Sequence, residues 1–321
     1  MNYRLEELSA QKYAEHVLPL TEPLWANGRP LDLYREHTTE LAQTAYGRAS
    51  YRTIALCDGS AILATFKRYE REARAGKEQL RAIGIGAVFT PEPLRGQGFA
   101  SAMLAMALDA ARASGIDFAY LFSDIHPQFY KEIGFVELPS RSISFRADSL
   151  EYRRLEVQTI GDRDWTGIRA CFDSLEQHRS FGFMRSPAVW GWLRTRIAHM
   201  PSPNHAQPVN LLVRQGRSIA AYVLGRRDPR HDAYIADEIA FNPETSGQLV
   251  APLLRAAAGD LRRIAGWLPP APVRQALPRG SVRKRTGAIW MATPLTERGE
   301  RFLDAALQRS GADGAWELDH I

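Results

Sequence analysis

A loop interrupted by two glycines holds the residues whose types and spacing could do chemistry. It spans Arg95–Ala100 and lies between an apolar strand predicted over residues 83–90 and a helix whose apolar residues recur every three or four positions. Glycines at such a turn let backbone N–H groups point into one cavity, and the helix N-terminus adds partial positive charge. The loop therefore predicts a site for a phosphate or pyrophosphate. It lacks the Gly-Lys-Ser/Thr ending of a P-loop and the three glycines and later acid of a dinucleotide fingerprint.

Two motifs of the chain resemble the GNAT family of N-acetyltransferases. Arg95, Gly98 and Ala100 match the family's Gln/Arg-x-x-Gly-x-Gly/Ala motif. The segment Phe129–Phe135, which contains Tyr130, is similar to the family's Tyr-x-x-x-Gly-Phe segment. The motifs stand in the family's order, with an apolar strand between them. The resemblance implies an α/β (α+β) fold, acetyl-coenzyme A as the donor and an amine as the acceptor.

The resemblance also assigns the contacts to acetyl-coenzyme A. The pantetheine arm would lie along the end of the strand that precedes the loop, at Val88, Phe89 and Thr90. The pyrophosphate would lie among the residues of the loop and of the first helical turn, namely Arg95, Gly96, Gln97, Gly98, Phe99, Ala100 and Ser101. Gly84 and Gly86 are consistent with a bulge or a close approach in the same strand. Arg95 is read as a charged donor to the pyrophosphate, the alternative being a solvated loop residue.

Tyr130 aligns with the tyrosine that acts as general acid in many members of the family. A phenol with a pKa near ~10 suits a thiolate leaving group because it can donate a proton without being ionised at pH 7. The alternative is a half-buried aromatic residue on a short helix beside Phe129 and Phe135.

The general base is less clear, because the strand before the loop carries no carboxylate. Asp124 follows the strand 118–122 and is the candidate, either directly or through water, with His126 close by; Asp124 could equally cap the next helix. Asp237 and Glu238 lie in the second half of the chain, and we expect them to take part in a structural salt bridge. The enhanced-intracellular-survival acetyltransferases use a terminal carboxylate, which makes Ile321 a further candidate.

Composition restricts the class of protein. The chain has 321 residues, 45% hydrophobic and 24% charged, and a net charge of +5, as in an ordinary soluble protein. No apolar run approaches the ~20 residues of a membrane span, and residues 1–7 lack the apolar core of a signal peptide. Cys57 and Cys171 form neither a disulfide framework nor a metal-spaced pair, so we expect a cytoplasmic protein without a bound metal. The arginines are dispersed, which argues against nucleic-acid binding.

The order of predicted elements repeats along the chain. In the first half, Asp58-Gly59 joins strands 51–57 and 61–68, a polar stretch at 70–79 turns the chain, and closing strands follow at 135–138 and 142–146. In the second half, Gln215-Gly216 joins strands 209–214 and 218–224, followed by a strand at 233–241, a helix at 249–261 and a closing strand at 288–293. The order predicts two tandem domains, each a mixed, mostly antiparallel sheet flanked by helices, unless two α+β halves resemble each other by chance.

The first domain, residues 1–150, is expected to be catalytic, and the second, residues 151–321, to be a degenerate copy. The loop of the second copy, 242–248, has one glycine and no matching arginine. The tandem order resembles the enhanced-intracellular-survival acetyltransferases. We therefore expect acetyl transfer to a primary amine of a small molecule.

A free amino acid is the leading acceptor class, because residues 121–130 resemble a segment of fungal lysine N-acetyltransferases. Aminoglycosides, polyamines and protein amines remain open, as do a non-catalytic acyl-coenzyme A-binding or regulatory role and a homo-oligomeric state. Phe89 and Phe122 near the thioester argue against a bulky or charged acyl group.

Overall fold

The computed structural model describes residues 3–26, 29–199, 206–308 and 315–320. Its strands are β1 (Arg4–Leu8), β2 (Tyr51–Asp58), β3 (Ala61–Ala75), β4 (Glu78–Phe89), β5 (Phe118–Ser123), β6 (Val136–Glu137), β7 (Arg141–Arg146), β8 (Val157–Thr159), β9 (Phe181–Phe183), β10 (Gln207–Pro208), β11 (Leu211–Gln215), β12 (Ser218–Asp228), β13 (Ala233–Phe241), β14 (Arg263–Trp267), β15 (Ser281–Lys284) and β16 (Ile289–Pro294). Its helices are α1 (Ala10–His16), α2 (Leu18–Trp25), α3 (Leu31–Gln43), α4 (Ala45–Ser50), α5 (Phe99–Ala113), α6 (Pro127–Glu132), α7 (Trp165–Glu176), α8 (Pro187–Ala198), α9 (Val250–Ala258), α10 (Ala271–Gln275) and α11 (Glu297–Gln308).

The described strands form two mixed sheets of eight strands each. The first has the order β1-β2-β3-β4-β5-β16-β6, with β9 paired to β3, and the second has the order β15-β7-β14-β13-β12-β11-β8, with β10 paired to β12. Each sheet contains one parallel pair, β4–β5 in the first and β13–β14 in the second, and its other recorded pairs are antiparallel. The predicted fold of two similar α/β units is confirmed.

The first sheet takes two strands from the second half of the chain, β9 and β16, and the second sheet takes one strand, β7, from the first half. β16 lies between β5 and β6 in the first sheet, and β7 lies between β15 and β14 in the second. The predictions that 142–146 closes the first sheet and 288–293 the second were therefore wrong. Alternation of apolar and polar residues shows that one face of a strand is buried. It does not show which sheet the strand joins, because the pairing depends on residues far away in the chain. The boundary at residue 150 stays a prediction.

The hairpin of β3 and β4 is longer than predicted. The stretch 70–79 was expected to be a polar turn, but β3 continues to Ala75 and only Gly76 and Lys77 turn the chain. Arg71 and Ala73 are buried there because β9 covers this end of β3. Charged residues hid the alternation in the sequence.

The helix after the glycine loop packs as its pattern predicted. α5 buries one apolar face against the first sheet, and its buried residues are Met103, Leu104, Ala107, Leu108 and Ala111. Four helices, α1 to α4, precede β2. Helix α9 ends at Ala258 instead of Leu261. None of the helices described is long and apolar enough to cross a membrane.

Candidate functional site

The glycine loop forms an open row of backbone donors. Gly96 and Gly98 have φ angles of 75° and 80°, in the left-handed region that favours glycine. Gly98 is the N-cap of α5, so the N–H groups of the first helical turn, from Phe99 to Ser101, have no intrahelical acceptor. A Cβ placed on either glycine would meet no atom within 4 Å. The loop is exposed and has room for the diphosphate of a coenzyme.

Arg95 folds back along this loop. Its Nε donates to Thr90 O at 3.2 Å, and Gln97 Nε2 donates to Pro93 O at the same distance. These bonds close the turn between β4 and α5. They also keep the positive charge of Arg95 beside the exposed amides, where it favours an anion.

The strands β4 and β5 separate beside the loop. Their recorded pairs are confined to Ala82, Ile83 and Gly84 on β4, so the strand ends diverge beyond that point. The register of β4 against β3 shifts between Gly86 and Phe89, and Ala87 has a φ of 47°. A bulge of this kind leaves a backbone group unpaired with the neighbouring strand. The gap and the bulge together form a cleft lined by peptide groups.

The residues at the end of β4 face both sides of the sheet. Val88 packs against the cluster that includes α5, whereas Phe89 is buried on the side of α1 and α2, with its ring centroid 6.2 Å from that of Trp25. A cavity of about 240 Å³ lies next to Phe89 and Pro91 and reaches His16 on α1. Thr90 follows in the half-buried turn.

Tyr130 lies on α6, after the end of β5. Its ring packs against Phe129 at 5.0 Å and Phe135 at 6.1 Å between centroids. Burial raises the pKa of Tyr130 to about 12, and the negative charge of Asp124 adds to the effect. The phenol therefore stays protonated at neutral pH and can act only as a proton donor there.

Asp124 follows β5 and does not cap α6. His126, exposed and with a φ of 58°, is the N-cap residue of that helix. Asp124 Oδ1 instead accepts from Ala288 N at 3.0 Å, and its Oδ2 lies 3.5 Å from His320 Nε2. The neighbouring imidazole of His320 is the main cause that lowers the pKa of Asp124. The carboxylate is ionised at neutral pH and is held beside a histidine.

His320 was not predicted as a site residue. Two apolar residues precede it in the same segment, Trp316 and Leu318. Both are buried, with 4% of their surface exposed. The His320 ring packs edge-on against Phe122, with 5.4 Å between centroids. Ile321, proposed as a source of a carboxylate, lies outside the described residues.

The segment that carries His320 is anchored by buried charge. Asp319 lies 3.2 Å from Arg71 and 3.1 Å from Arg185, and all three side chains are almost fully buried. Arg196 Nη1 donates to Leu318 O at 3.2 Å. The anchor joins β3 of the first sheet to segments of the second half, so the position of His320 depends on both halves.

The corresponding part of the second half is arranged differently. Glu238 pairs with Arg185 at 2.6 Å and accepts from Tyr222 Oη at 2.7 Å, and Asp237 pairs with Arg226. Both acids therefore take part in structural contacts, as the sequence reading had it. Gly247 is the glycine of the loop 242–248, which corresponds to the glycine loop of the first half. A Cβ on Gly247 would lie 3.5 Å from the Phe241 ring, whereas a Cβ on Gly98 would meet no atom within 4 Å.

A known family model matches the part of the chain that contains the glycine loop. Residues 30–137 match the family model described as an acetyltransferase (GNAT) domain. No curated protein sequence matches the chain.

Solved structures extend the similarity to most of the chain. A GCN5-related N-acetyltransferase from Anabaena variabilis is similar, with a TM-score of 0.72 and 13% identity, over 92% of this chain and 73% of that one. Eis1 from Mycobacterium abscessus is similar over 92% of this chain and 74% of its own, with a TM-score of 0.61 and 12% identity. A tandem GNAT protein from the clavulanic acid biosynthesis pathway has a TM-score of 0.50 and 9% identity, over 92% of this chain and 99% of that one.

Identities this low show a shared fold alone, and the family assignment rests on the match to residues 30–137. By its sequence, that segment is a GNAT acetyltransferase domain, and the chain as a whole has the fold of tandem GNAT proteins.

Proposed function

We propose that the chain transfers the acetyl group of acetyl-coenzyme A to a primary amine of a small molecule. The observation that carries the proposal is the exposed row of amides at Gly96–Ser101 beside the cleft between β4 and β5, with Tyr130 and Asp124 at the end of β5. Acetyl-coenzyme A would supply a thioester whose acyl carbon an amine can attack. The open space in front of the glycines fits its diphosphate, and the cleft fits its pantetheine arm.

The chain's own groups then divide three tasks. The exposed amides and Arg95 bind the diphosphate, and an N–H of the bulge at Ala87 and Val88 stabilises the negative charge that develops on the carbonyl oxygen. Tyr130 gives its proton to the departing sulfur, which its raised pKa allows at any pH below about 12.

Asp124 takes the proton of the attacking nitrogen, directly or through water. Its lowered pKa makes it a weak base, so this transfer follows the first bonding of nitrogen to the acyl carbon, when the N–H has become far more acidic. His320, 3.5 Å away, can take the proton onward.

The test is thiol release from acetyl-coenzyme A with a panel of amines, for the wild type and Tyr130→Phe. We expect turnover with small amines and a fall in kcat of at least about 100-fold in the variant, the usual contribution of a positioned acid, with unchanged donor binding. Tyr152→Phe is the matched control, because Tyr152 is 79% exposed. Donor binding without thiol release for any amine would favour a non-catalytic role, and turnover of peptide amines alone would point to a protein substrate.

A further inference from the structure

Arg285 carries a charge that no carboxylate in the described part of the chain pairs with. It lies between β15 and β16, where its backbone N–H donates to Ser140 O at 2.9 Å. Its guanidinium stacks on the indole of Trp267, with Cζ 3.5 Å from the ring centroid. The Nε and Nη1 atoms are buried and make no hydrogen bond to any described residue. Unsatisfied donors on a half-buried cation are costly unless an anion binds them.

The carboxylates near Arg285 are committed to other groups. Asp124 accepts from Ala288 N and faces His320, and Glu317 pairs with Arg226 at 2.9 Å. Burial lowers the pKa of Arg285 to about 10, and the charges of Glu317 and Asp124 oppose that shift only in part. The guanidinium therefore stays cationic at neutral pH while lacking a direct anionic partner.

Arg285 lies on the acceptor side of the proposed transfer site. Ala288, three residues after it, is the donor to Asp124. Trp267, on which Arg285 stacks, has its ring centroid 5.2 Å from that of Phe122 and 5.9 Å from that of His320. The rings of Phe122, Trp267 and His320 pack together. Arg285 stacks on Trp267, and Asp124 lies beside His320. An amine held at Asp124 therefore has a fixed guanidinium nearby.

We propose that Arg285 binds a carboxylate of the acceptor, so that the substrate is an amino acid or a similar molecule with an amine and a carboxylate a few bonds apart. This inference rests on the proposed function. A guanidinium matches the planar geometry of a carboxylate, and stacking on Trp267 fixes its orientation in advance. A phosphate monoester offers the same type of charge, and the experiment separates the two sources.

The experiment compares acceptors that differ only in the anionic group. Lysine is paired with cadaverine, tyrosine with tyramine, and phosphoethanolamine with ethanolamine, each assayed for kcat/KM by thiol release. The wild type should prefer at least one carboxylated acceptor by about tenfold or more, the factor that one charge-assisted hydrogen bond contributes. Arg285→Met should bring that ratio close to one, and Arg285→Lys should restore part of it.

Arg283→Met is the matched control, because Arg283 is an exposed arginine on the neighbouring strand β15, and it should keep the wild-type ratio. A wild type that prefers cadaverine and tyramine, or an Arg285→Met variant that keeps the preference, would overturn the proposal. If the wild type prefers only phosphoethanolamine over its bare amine, the group that binds Arg285 is a phosphate and the carboxylate proposal is wrong.

If the proposed function itself is wrong, acetyl-coenzyme A will release no thiol with any acceptor. If only the inference about Arg285 is wrong, thiol is released without the expected dependence on the carboxylate. Calorimetric titration of lysine and tyrosine into the protein saturated with coenzyme A supplies a readout that is independent of turnover. Binding that is weakened about tenfold or more by Arg285→Met, and not by Arg283→Met, would support the inference. Equal binding to all three proteins would refute it.

Discussion

Replacing Lys67 by methionine should stabilise the fold, and more at pH 6 than at pH 9. Lys67 lies on β3, and its amine donates to Thr53 Oγ1 at 2.5 Å and sits 3.4 Å from the centroid of the Tyr13 ring. These partners are neutral, and 6% of the residue is exposed. Burial lowers the pKa of Lys67 from 10.5 to about 7. Methionine has a similar length and carries no charge to bury.

The magnitude follows from the two pKa values. Below pH 7 the folded and the unfolded chain both carry the ammonium, so the full cost of burying it is present. Between pH 7 and 10.5 the unfolded chain keeps a proton that the folded chain has lost, and stability therefore rises with pH. At about 1.4 kcal/mol per tenfold change, the full cost is roughly 5 kcal/mol and falls by roughly 2.5 kcal/mol between pH 6 and pH 9. The lost hydrogen bond and the contact with Tyr13 offset part of the gain at both pH values.

The assay is urea unfolding of the wild type and Lys67→Met at pH 6 and pH 9. The difference in unfolding free energy between them should shrink by about 2.5 kcal/mol at the higher pH. Lys77→Met, at the exposed turn between β3 and β4, controls for the general effect of removing a lysine. A difference that is the same at both pH values would show that Lys67 is not a buried cation, and the reasoning from its neutral surroundings would be wrong.

Three further predictions concern the site and its anchor. Asp124→Asn should lower kcat by about 100-fold without changing donor binding, because the amide keeps an acceptor for Ala288 N but cannot take a proton; wild-type turnover would remove Asp124 from the mechanism. Since Tyr130 stays protonated up to about pH 12 and the lowered pKa of Asp124 keeps it ionised, kcat should not fall between pH 7 and 10, and a decline with a midpoint near 9 would contradict these roles. Asp319→Asn should cost about 3–5 kcal/mol in urea unfolding because it leaves two buried guanidinium groups underpaired, whereas a change below about 1 kcal/mol would show that the anchor is not electrostatic.

The local features of the molecule could be predicted from its sequence. The hairpin turns at Gly59 and Gly216, the glycine loop and the helix after it depend on residues close together in the chain, and the structure has them where the patterns indicated. The short helix with Tyr130 is of the same kind.

The contacts that complete the site could not be predicted, because they join distant segments. Asp124 and His320 are 196 positions apart, and Arg285 reaches the same region through the placement of β16 in the first sheet. The pattern of alternating residues in β16 is equally compatible with either sheet. The charged residues Lys67 and Arg71 are buried because distant segments pack against them, Tyr13 against Lys67 and Asp319 against Arg71.

The most direct test of the account is calorimetric titration of acetyl-coenzyme A into the wild type, Gly98→Val and Gly59→Val. Both glycines have a positive φ, 80° and 59°, and face open space, so valine strains the backbone similarly at each. We predict that Gly98→Val weakens binding by at least about tenfold, since a displaced amide row loses hydrogen bonds to the diphosphate, and that Gly59→Val binds as the wild type does. Equal affinity in all three folded proteins would contradict the claim that the loop at Gly98 binds the coenzyme.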